Sequence, residues 1–223
     1  MNTYHTTRLT YDRRREVLWA ALCNYYFSKF IRPDYHVLEL GAGYAHFINN
    51  VRCAIRTAVD IWPLMTSYAA PGVVARVGSV TDLSFLPDAS VDLVFASNLF
   101  EHLAKDDFAE TLVQLRQKLK PDGTLIILQP NYRRAYREYF DDYTHISVFS
   151  DVSLCDFLVA HGFQVLESRA GFLPLSVKSR LPVSRFLIRL YLASPWKPGA
   201  KQMLVRARIG PVQPMHPDPS VWS

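Results

Sequence analysis

The sequence lacks a hydrophobic run long enough to cross a membrane. Its longest stretch without a charged residue covers residues 61–75, and Pro63 and Pro71 interrupt it. A membrane-spanning helix needs about 20 consecutive apolar residues. The first residues also lack the apolar core of a secretory signal peptide. We therefore expect a cytoplasmic protein without a transmembrane helix.

Cysteine is also scarce. The three cysteines, Cys23, Cys53 and Cys155, are odd in number and far apart in the chain, and they lie among apolar residues. Disulfide-stabilised domains usually carry an even number of closely spaced cysteines, so we expect reduced thiols with structural roles. The 223 residues are 49% hydrophobic and 13% aromatic. This composition excludes intrinsic disorder and suits one domain with a sizeable core.

Acidic residues are absent from most of the C-terminal quarter. None occurs between Glu167 and Asp218, whereas residues 168–223 contain nine Lys and Arg residues. The net charge of +5 therefore comes from this quarter, because the rest of the chain is slightly acidic. A basic segment of this kind suits an anionic substrate or peripheral contact with an anionic membrane, and a solvated helix face is equally consistent. Aromatic residues are not regularly interleaved with the basic ones, which disfavours RNA binding.

Short apolar runs alternate with helical patterns along most of the chain. This alternation predicts parallel β-α-β units, with a sheet covered by helices on both faces. The predicted strands are 36–40, 55–59, 73–77, 91–96, 123–128, 163–166 and 202–209. The predicted helices are 13–30, 45–51, 63–69, 106–119, 151–161 and 182–193.

We interpret residues 1–209 as a single domain. Residues 1–33 form an N-terminal helical cap in this interpretation, and residues 169–201 form a basic helical insertion before the last strand. Residues 210–223 contain four prolines and are predicted to be a tail.

The turn after the first predicted strand is the most informative segment. Glycines at Gly41 and Gly43 allow a tight turn and a close approach of the backbone to a ligand. A dinucleotide-binding turn needs a third small residue where this chain has His46, which disfavours a nicotinamide oxidoreductase. The alternative pattern E-x-G-x-G-x-A is matched by Glu39, the two glycines and Ala45. This pattern resembles motif I of the class I S-adenosylmethionine-dependent methyltransferases.

Further motifs of the same family follow in the expected order. Asp60 closes the second predicted strand, about 20 residues after the glycines, where an acidic side chain can accept hydrogen bonds from ribose hydroxyls. Residues 100–103 read Phe-Glu-His-Leu and residues 119–123 read Leu-Lys-Pro-Asp-Gly. The resemblance covers about residues 13–209 and points to small-molecule methyltransferases of a bacterial subgroup. The Pro-Pro-Tyr motif of enzymes that methylate adenine in nucleic acid is missing, so we expect no DNA partner.

The resemblance implies a Rossmann-like, seven-stranded and mostly parallel sheet whose last strand is antiparallel. It also implies S-adenosylmethionine as the cofactor, held at the ends of the first four strands. Family members often have an acidic residue where this chain has a serine after the third strand. The implied cofactor-binding residues are Glu39, Gly41, Ala42, Gly43, Asp60, Ile61, Ser79, Val80, Ser97 and Asn98.

Two histidines are candidates for a catalytic base. A hydroxyl or protonated-amine acceptor must lose a proton, and histidine is the side chain that most often accepts one. His102 follows the fourth strand and His145 lies in the long connection after the fifth, although a structural role is open for each. Asp141, Asp142 and His145 have the spacing of a metal cluster. Because other suitable ligands are missing nearby, we interpret them as a solvated loop and predict no metal site.

The sequence therefore predicts a methyltransferase that modifies a hydroxyl or amine of a small, sugar-linked or lipid-linked, anionic acceptor. A non-catalytic S-adenosylmethionine-binding protein with the same fold is the alternative, because the motifs report on the cofactor and not on turnover.

Overall fold

The computed structural model describes residues 10–175 and 184–211. Its strands form one seven-stranded sheet in the order β3-β2-β1-β4-β5-β7-β6. Only β7 runs antiparallel to its neighbours, β5 and β6, which confirms the predicted Rossmann-like sheet. The strands are β1 (His36–Leu40), β2 (Ile55–Asp60), β3 (Val73–Val77), β4 (Val91–Ser97), β5 (Leu119–Pro130), β6 (Phe163–Pro174) and β7 (Ala200–Ile209).

Helices flank this sheet. Asp12 caps the first of them by accepting a hydrogen bond from the Arg14 N–H, and Ser150 caps the sixth in a reciprocal capping box with Ser153. Within the described ranges, no helix is long and apolar enough to span a bilayer. The α-helices are α1 (Arg13–Tyr25), α2 (His46–Asn50), α3 (Met65–Tyr68), α4 (Lys105–Lys118), α5 (Tyr132–Ala135), α6 (Asp151–Ala160) and α7 (Arg185–Ala193). Single 3₁₀ turns occupy Phe27–Lys29, Phe100–His102 and Tyr139–Asp141.

The central strand β4 shows how the two faces are built. Leu93 and Phe95 belong to the apolar cluster that includes residues of α1 and α2, whereas Val94 and Ala96 belong to the cluster that includes residues of α4 and α6. All four side chains are buried because successive residues of a strand point to opposite faces. The predicted helices on both faces of the sheet are confirmed.

The first helix is shorter than predicted. It ends at Tyr25, and the 3₁₀ turn that follows redirects the chain so that Phe27 enters the core. There the Phe27 ring lies edge-on to the rings of Phe47 and Phe95, with centroids 5.5 and 5.1 Å away. The predicted continuation to Phe30 is wrong because this aromatic packing outweighs helix continuation.

The basic insertion is also shorter than the predicted residues 169–201. Residues 169–174 continue β6 and residues 200–201 begin β7, because the two strands pair as far as Pro174 and Ala200. The basic side chains of Arg169 and Lys201 therefore belong to the sheet. Residues 1–9 of the predicted cap, 176–183 of the insertion and 212–223 of the tail lie outside the described residues.

Candidate functional site

A cavity of about 380 Å³ opens at the carboxyl ends of β1, β2 and β4. The strand order reverses between β1 and β4, and in open α/β sheets ligands bind at such a switch point. All ten residues that the resemblance assigns to the cofactor line this one cavity. The other lining residues are Arg15, Trp19, Tyr44, His46, Phe47, Leu99, His102, Leu103 and Thr144.

The turn after β1 forms the floor of the cavity. Gly41 and Gly43 both have positive φ angles, +64° and +50°, which side chains other than glycine rarely adopt. The Gly41 N–H donates a hydrogen bond to the Val59 carbonyl at 2.9 Å. A Cβ atom on Gly41 would lie 2.8 Å from Leu99 Cδ1. The two glycines thus place the backbone of this turn on the cavity wall.

Asp60 holds the end of β2 against this turn. Its Oδ2 accepts a hydrogen bond from the Gly43 N–H at 2.7 Å, and its Oδ1 accepts one from the Trp62 N–H at 2.8 Å. Each carboxylate oxygen can accept a second hydrogen bond. The buried Asp60 therefore both orders the turn and offers acceptors to a ligand with neighbouring hydroxyl groups.

Glu39 is a buried acid behind the glycines. Its Oε2 accepts a hydrogen bond from the Ile48 N–H at 3.0 Å. Burial raises the pKa of this carboxyl to about 8. A bound cation would favour the charged form, so the chemistry of Glu39 suits a ligand with an ammonium group.

The remaining predicted cofactor positions complete the rim. Ile61 is 66% exposed and lies just after β2. Ser79 and Val80 follow β3, where Ser79 Oγ lies 2.8 Å from Thr81 Oγ1. Asn98 has a φ of +49° after β4 and accepts a hydrogen bond from Gln202 Nε2 at 3.2 Å. The ligand contacts of these residues stay predictions.

Two residues of helix α1 line the cavity and were not predicted from the sequence. Arg15 and Trp19 reach it from α1, which is far from the glycine turn in the chain and carries no motif. His46, which stands where a dinucleotide-binding turn would have a small residue, is half-buried, and its imidazole contacts the rings of Tyr11 and Tyr44. Burial, and then the nearby Arg15, lowers the pKa of His46 to about 4. His46 is therefore neutral at pH 7.

The two candidate bases lie together at one end of the cavity. His102 lines the cavity, and the His145 ring lies behind it with a centroid distance of 4.8 Å. His145 Nδ1 lies 2.6 Å from the Tyr139 carbonyl, and His102 Nδ1 lies 3.2 Å from the Thr144 carbonyl. A carbonyl accepts only from an N–H, so both rings carry the Nδ1 proton and have the lone pair on Nε2. Burial, and then the neighbouring His145, lowers the pKa of His102.

The structure adds Glu101, which sequence analysis did not single out as a site residue. Its side chain is fully buried, and neither carboxylate oxygen has a hydrogen-bond partner among the described residues. Burial raises the pKa of Glu101 to about 8. In the structure, His145 does not form a cluster of potential metal ligands with Asp141 and Asp142, the grouping considered from their spacing in the sequence. His145 meets Glu101 and His102 instead.

Comparison with known proteins decides the family. A family model described as a methyltransferase domain matches residues 11–168. The chain belongs to this methyltransferase family. No curated protein sequence matches it. The family match and the fold together identify this protein as a class I S-adenosylmethionine-dependent methyltransferase, with S-adenosylmethionine as its cofactor.

Solved structures share the fold of this methyltransferase at low sequence identity. An S-adenosylmethionine-dependent methyltransferase from Archaeoglobus fulgidus is 21% identical with a TM-score of 0.66, covering 92% of this chain and 97% of its own. One from Thermotoga maritima is 20% identical with a TM-score of 0.67 and the same coverage. One from Aquifex aeolicus is 16% identical with a TM-score of 0.62, covering 94% and 99%.

Proposed function

We propose that this methyltransferase transfers a methyl group to a hydroxyl or amine of a small, sugar-linked or lipid-linked, anionic acceptor. The observation that carries the proposal is that His102 lines the same cavity as all ten predicted cofactor residues, with the His145 ring packed against it. A base beside the cofactor is what a protonated acceptor requires.

The cavity residues fit the cofactor in their chemistry. When bound, S-adenosylmethionine supplies an electrophilic methyl group on a sulfonium. Asp60 offers acceptors for the ribose hydroxyls, and the buried carboxyl of Glu39 lines the same cavity and suits a cationic amino group. The absence of a side chain on Gly41 leaves room for Leu99, which also lines the cavity. Holding donor and acceptor in line can contribute about 7–11 kcal/mol to catalysis.

The histidines are proposed to handle the acceptor proton. Hydrogen bonds from Nδ1 to backbone carbonyls orient both rings, so each Nε2 carries a lone pair. The lowered pKa of His102 keeps this imidazole neutral at pH 7, as a base must be. A base in contact with the acceptor typically contributes about 10²–10⁴-fold to the rate.

Turnover tests this function. The wild-type protein, given S-adenosylmethionine and a fraction of anionic metabolites from cells, is expected to form S-adenosylhomocysteine. We expect His102→Ala, which removes the imidazole that lines the cavity, to lower that rate by about 100-fold or more, while S-adenosylmethionine affinity stays within about threefold. His161→Ala, at the end of α6, is the matched control and should keep the rate. Binding of the cofactor without turnover on any acceptor fraction would support the non-catalytic alternative.

The helix α7 supports a lipid-linked acceptor. Phe186, Leu187 and Leu190 are exposed on it, and Trp196 is 76% exposed just beyond its end. Arg185 and Arg189 lie on the same helix. An amphipathic basic helix with exposed apolar residues suits the surface of an anionic membrane.

Vesicle binding tests the membrane contact. We expect the protein to sediment with phosphatidylglycerol vesicles and much less with phosphatidylcholine vesicles. The double variant Phe186→Ser, Leu190→Ser should lower the partition coefficient about tenfold or more, because two apolar side chains no longer enter the lipid. Val113→Ser removes an equally exposed apolar residue from α4 and should have no effect. Equal binding of both variants would contradict the contact.

A further inference from the structure

Three side chains from two separate segments meet beside the cavity. Glu101 and His102 come from the 3₁₀ turn after β4, and His145 comes from the connection between β5 and α6. One potential ligand atom from each residue lies within 4.8 Å of the other two. We propose that Glu101, His102 and His145 bind one divalent transition-metal ion, contrary to the expectation from the sequence.

Glu101 supplies the strongest reason. A fully buried carboxyl without a partner is costly in a protein interior, and native structures rarely retain one without a reason. Across residues 10–175 and 184–211, no Lys or Arg forms an ion pair with it. A metal ion would supply the missing positive charge and occupy the carboxylate oxygens.

The two histidines are oriented as metal ligands usually are. A ligating histidine nearly always donates its other ring N–H to a carbonyl or carboxylate, which fixes the tautomer and the ring orientation. His145 makes such a bond to the Tyr139 carbonyl, and His102 makes one to the Thr144 carbonyl. Both rings therefore have the tautomer that places a lone pair on Nε2.

The backbone holds the two segments together. The Glu101 carbonyl accepts hydrogen bonds from the N–H groups of Ile146 and Ser147, at 2.9 and 3.0 Å. The Ser147 hydroxyl donates to the Leu103 carbonyl at 2.6 Å. His145 is thus fixed next to Glu101 by bonds that do not involve the ligand side chains. The ligand atoms, which lie up to 4.8 Å apart, would move closer together to share one ion.

The ligand set selects the kind of ion. Two imidazoles and a carboxylate favour Zn²⁺ and related transition ions, whereas Mg²⁺ and Ca²⁺ prefer oxygen ligands. Asp142 adds a second negative charge that acts on both Glu101 and His102. Three protein ligands leave a coordination position open, as in catalytic zinc sites.

The site also suggests a role, which rests on the proposed function. His102 and Thr144 line the cavity, so an ion at this position would lie at its acceptor end. With the ion bound, both Nε2 lone pairs would be occupied, so the histidines would act as ligands and not as the base. The ion would instead bind an acceptor oxygen and lower the pKa of its hydroxyl, so that the proton is lost to water. Of the two acceptor classes, this favours hydroxyl over amine.

Metal titration of the full-length protein tests the site without the cofactor or an acceptor. After chelator treatment and its removal, the wild type is titrated with Zn²⁺ by calorimetry and with Co²⁺ by visible absorption. We expect one equivalent of each to bind, with Mg²⁺ much weaker. Glu101→Gln and His145→Ala should each weaken Zn²⁺ binding by about 100-fold or more. Asp141→Asn, an exposed neighbour, should bind like the wild type.

The melting temperature and the S-adenosylmethionine binding of Glu101→Gln separate the metal site from the methyltransferase function. Glu101→Gln should melt no lower than the metal-free wild type, because an amide of the same shape replaces a buried carboxyl, and it should keep S-adenosylmethionine binding. Failure of the wild type to bind Zn²⁺ and Co²⁺, or undiminished binding by both variants, would overturn the metal site and leave the methyltransferase assignment intact. If Glu101→Gln does not fold, the loss of binding in His145→Ala decides the outcome.

Discussion

Replacing Asp60 with alanine is expected to abolish measurable S-adenosylmethionine binding. The carboxylate is the one acidic group at the end of β2, and it both holds the Gly43 N–H and offers acceptors for the ribose. Losing charge-assisted hydrogen bonds costs about 1.5–3 kcal/mol each, so we expect the dissociation constant to rise about 100-fold or more. Isothermal titration of the wild type and the Asp60→Ala variant measures this change.

A neighbouring acid provides the control for this experiment. Asp82 follows β3 and caps the N–H of Ser84, but it does not line the cavity. We expect Asp82→Asn to bind S-adenosylmethionine within about threefold of the wild type. Far-UV circular dichroism of Asp60→Ala verifies that the variant is folded. If it is folded and binds like the wild type, Asp60 has no part in the cofactor site.

Replacing Gly41 with alanine should damage both the fold and the cofactor site. A non-glycine residue at positive φ costs about 1–2 kcal/mol, and the new Cβ would lie 2.8 Å from the Leu99 side chain. For a domain of this size, such a loss lowers the melting temperature by about 2–8 °C. Because Leu99 also lines the cavity, its displacement should weaken S-adenosylmethionine binding by about tenfold or more.

Another glycine of the same sheet edge serves as the comparison. A Cβ on Gly78, after β3, would meet nothing within 4 Å, and its φ is not positive. Gly78→Ala should therefore keep the melting temperature and the cofactor affinity of the wild type. Equal effects of Gly41→Ala and Gly78→Ala on melting temperature and cofactor affinity would contradict the requirement for glycine at position 41.

The grouping of the expected cofactor residues around one cavity could be predicted because these residues follow strands of a parallel sheet. Gly41, Asp60 and Asn98 each come directly after a buried apolar run, and the carboxyl ends of parallel strands meet at one edge. The order of the runs and the spacing of the motifs were therefore sufficient to bring these residues into one cavity.

Contacts between distant segments could not be predicted in the same way. Glu101 and His145 are joined by backbone hydrogen bonds between two irregular connections, and no periodicity or spacing in the sequence reports such a pairing. Arg15 and Trp19 reach the cavity because α1 packs over the sheet, which depends on the tertiary structure.

Strand ends were underestimated for a related reason. The apolar pattern of β6 is interrupted after Leu166 by polar and small residues at 167–171, but antiparallel pairing with β7 carries the strand through them to Pro174. Backbone hydrogen bonds stabilise this extension, and they leave no pattern in the side chains. The basic residue Arg169 was consequently assigned to an insertion when it lies in the sheet.

The cavity at the ends of β1, β2 and β4 is expected to bind S-adenosylmethionine. Isothermal titration of the wild-type protein with S-adenosylmethionine, and in parallel with NADH, tests it most directly. We predict one equivalent of S-adenosylmethionine bound, competition by S-adenosylhomocysteine for the same site, and no binding of NADH. Binding of NADH without any binding of S-adenosylmethionine would contradict the account.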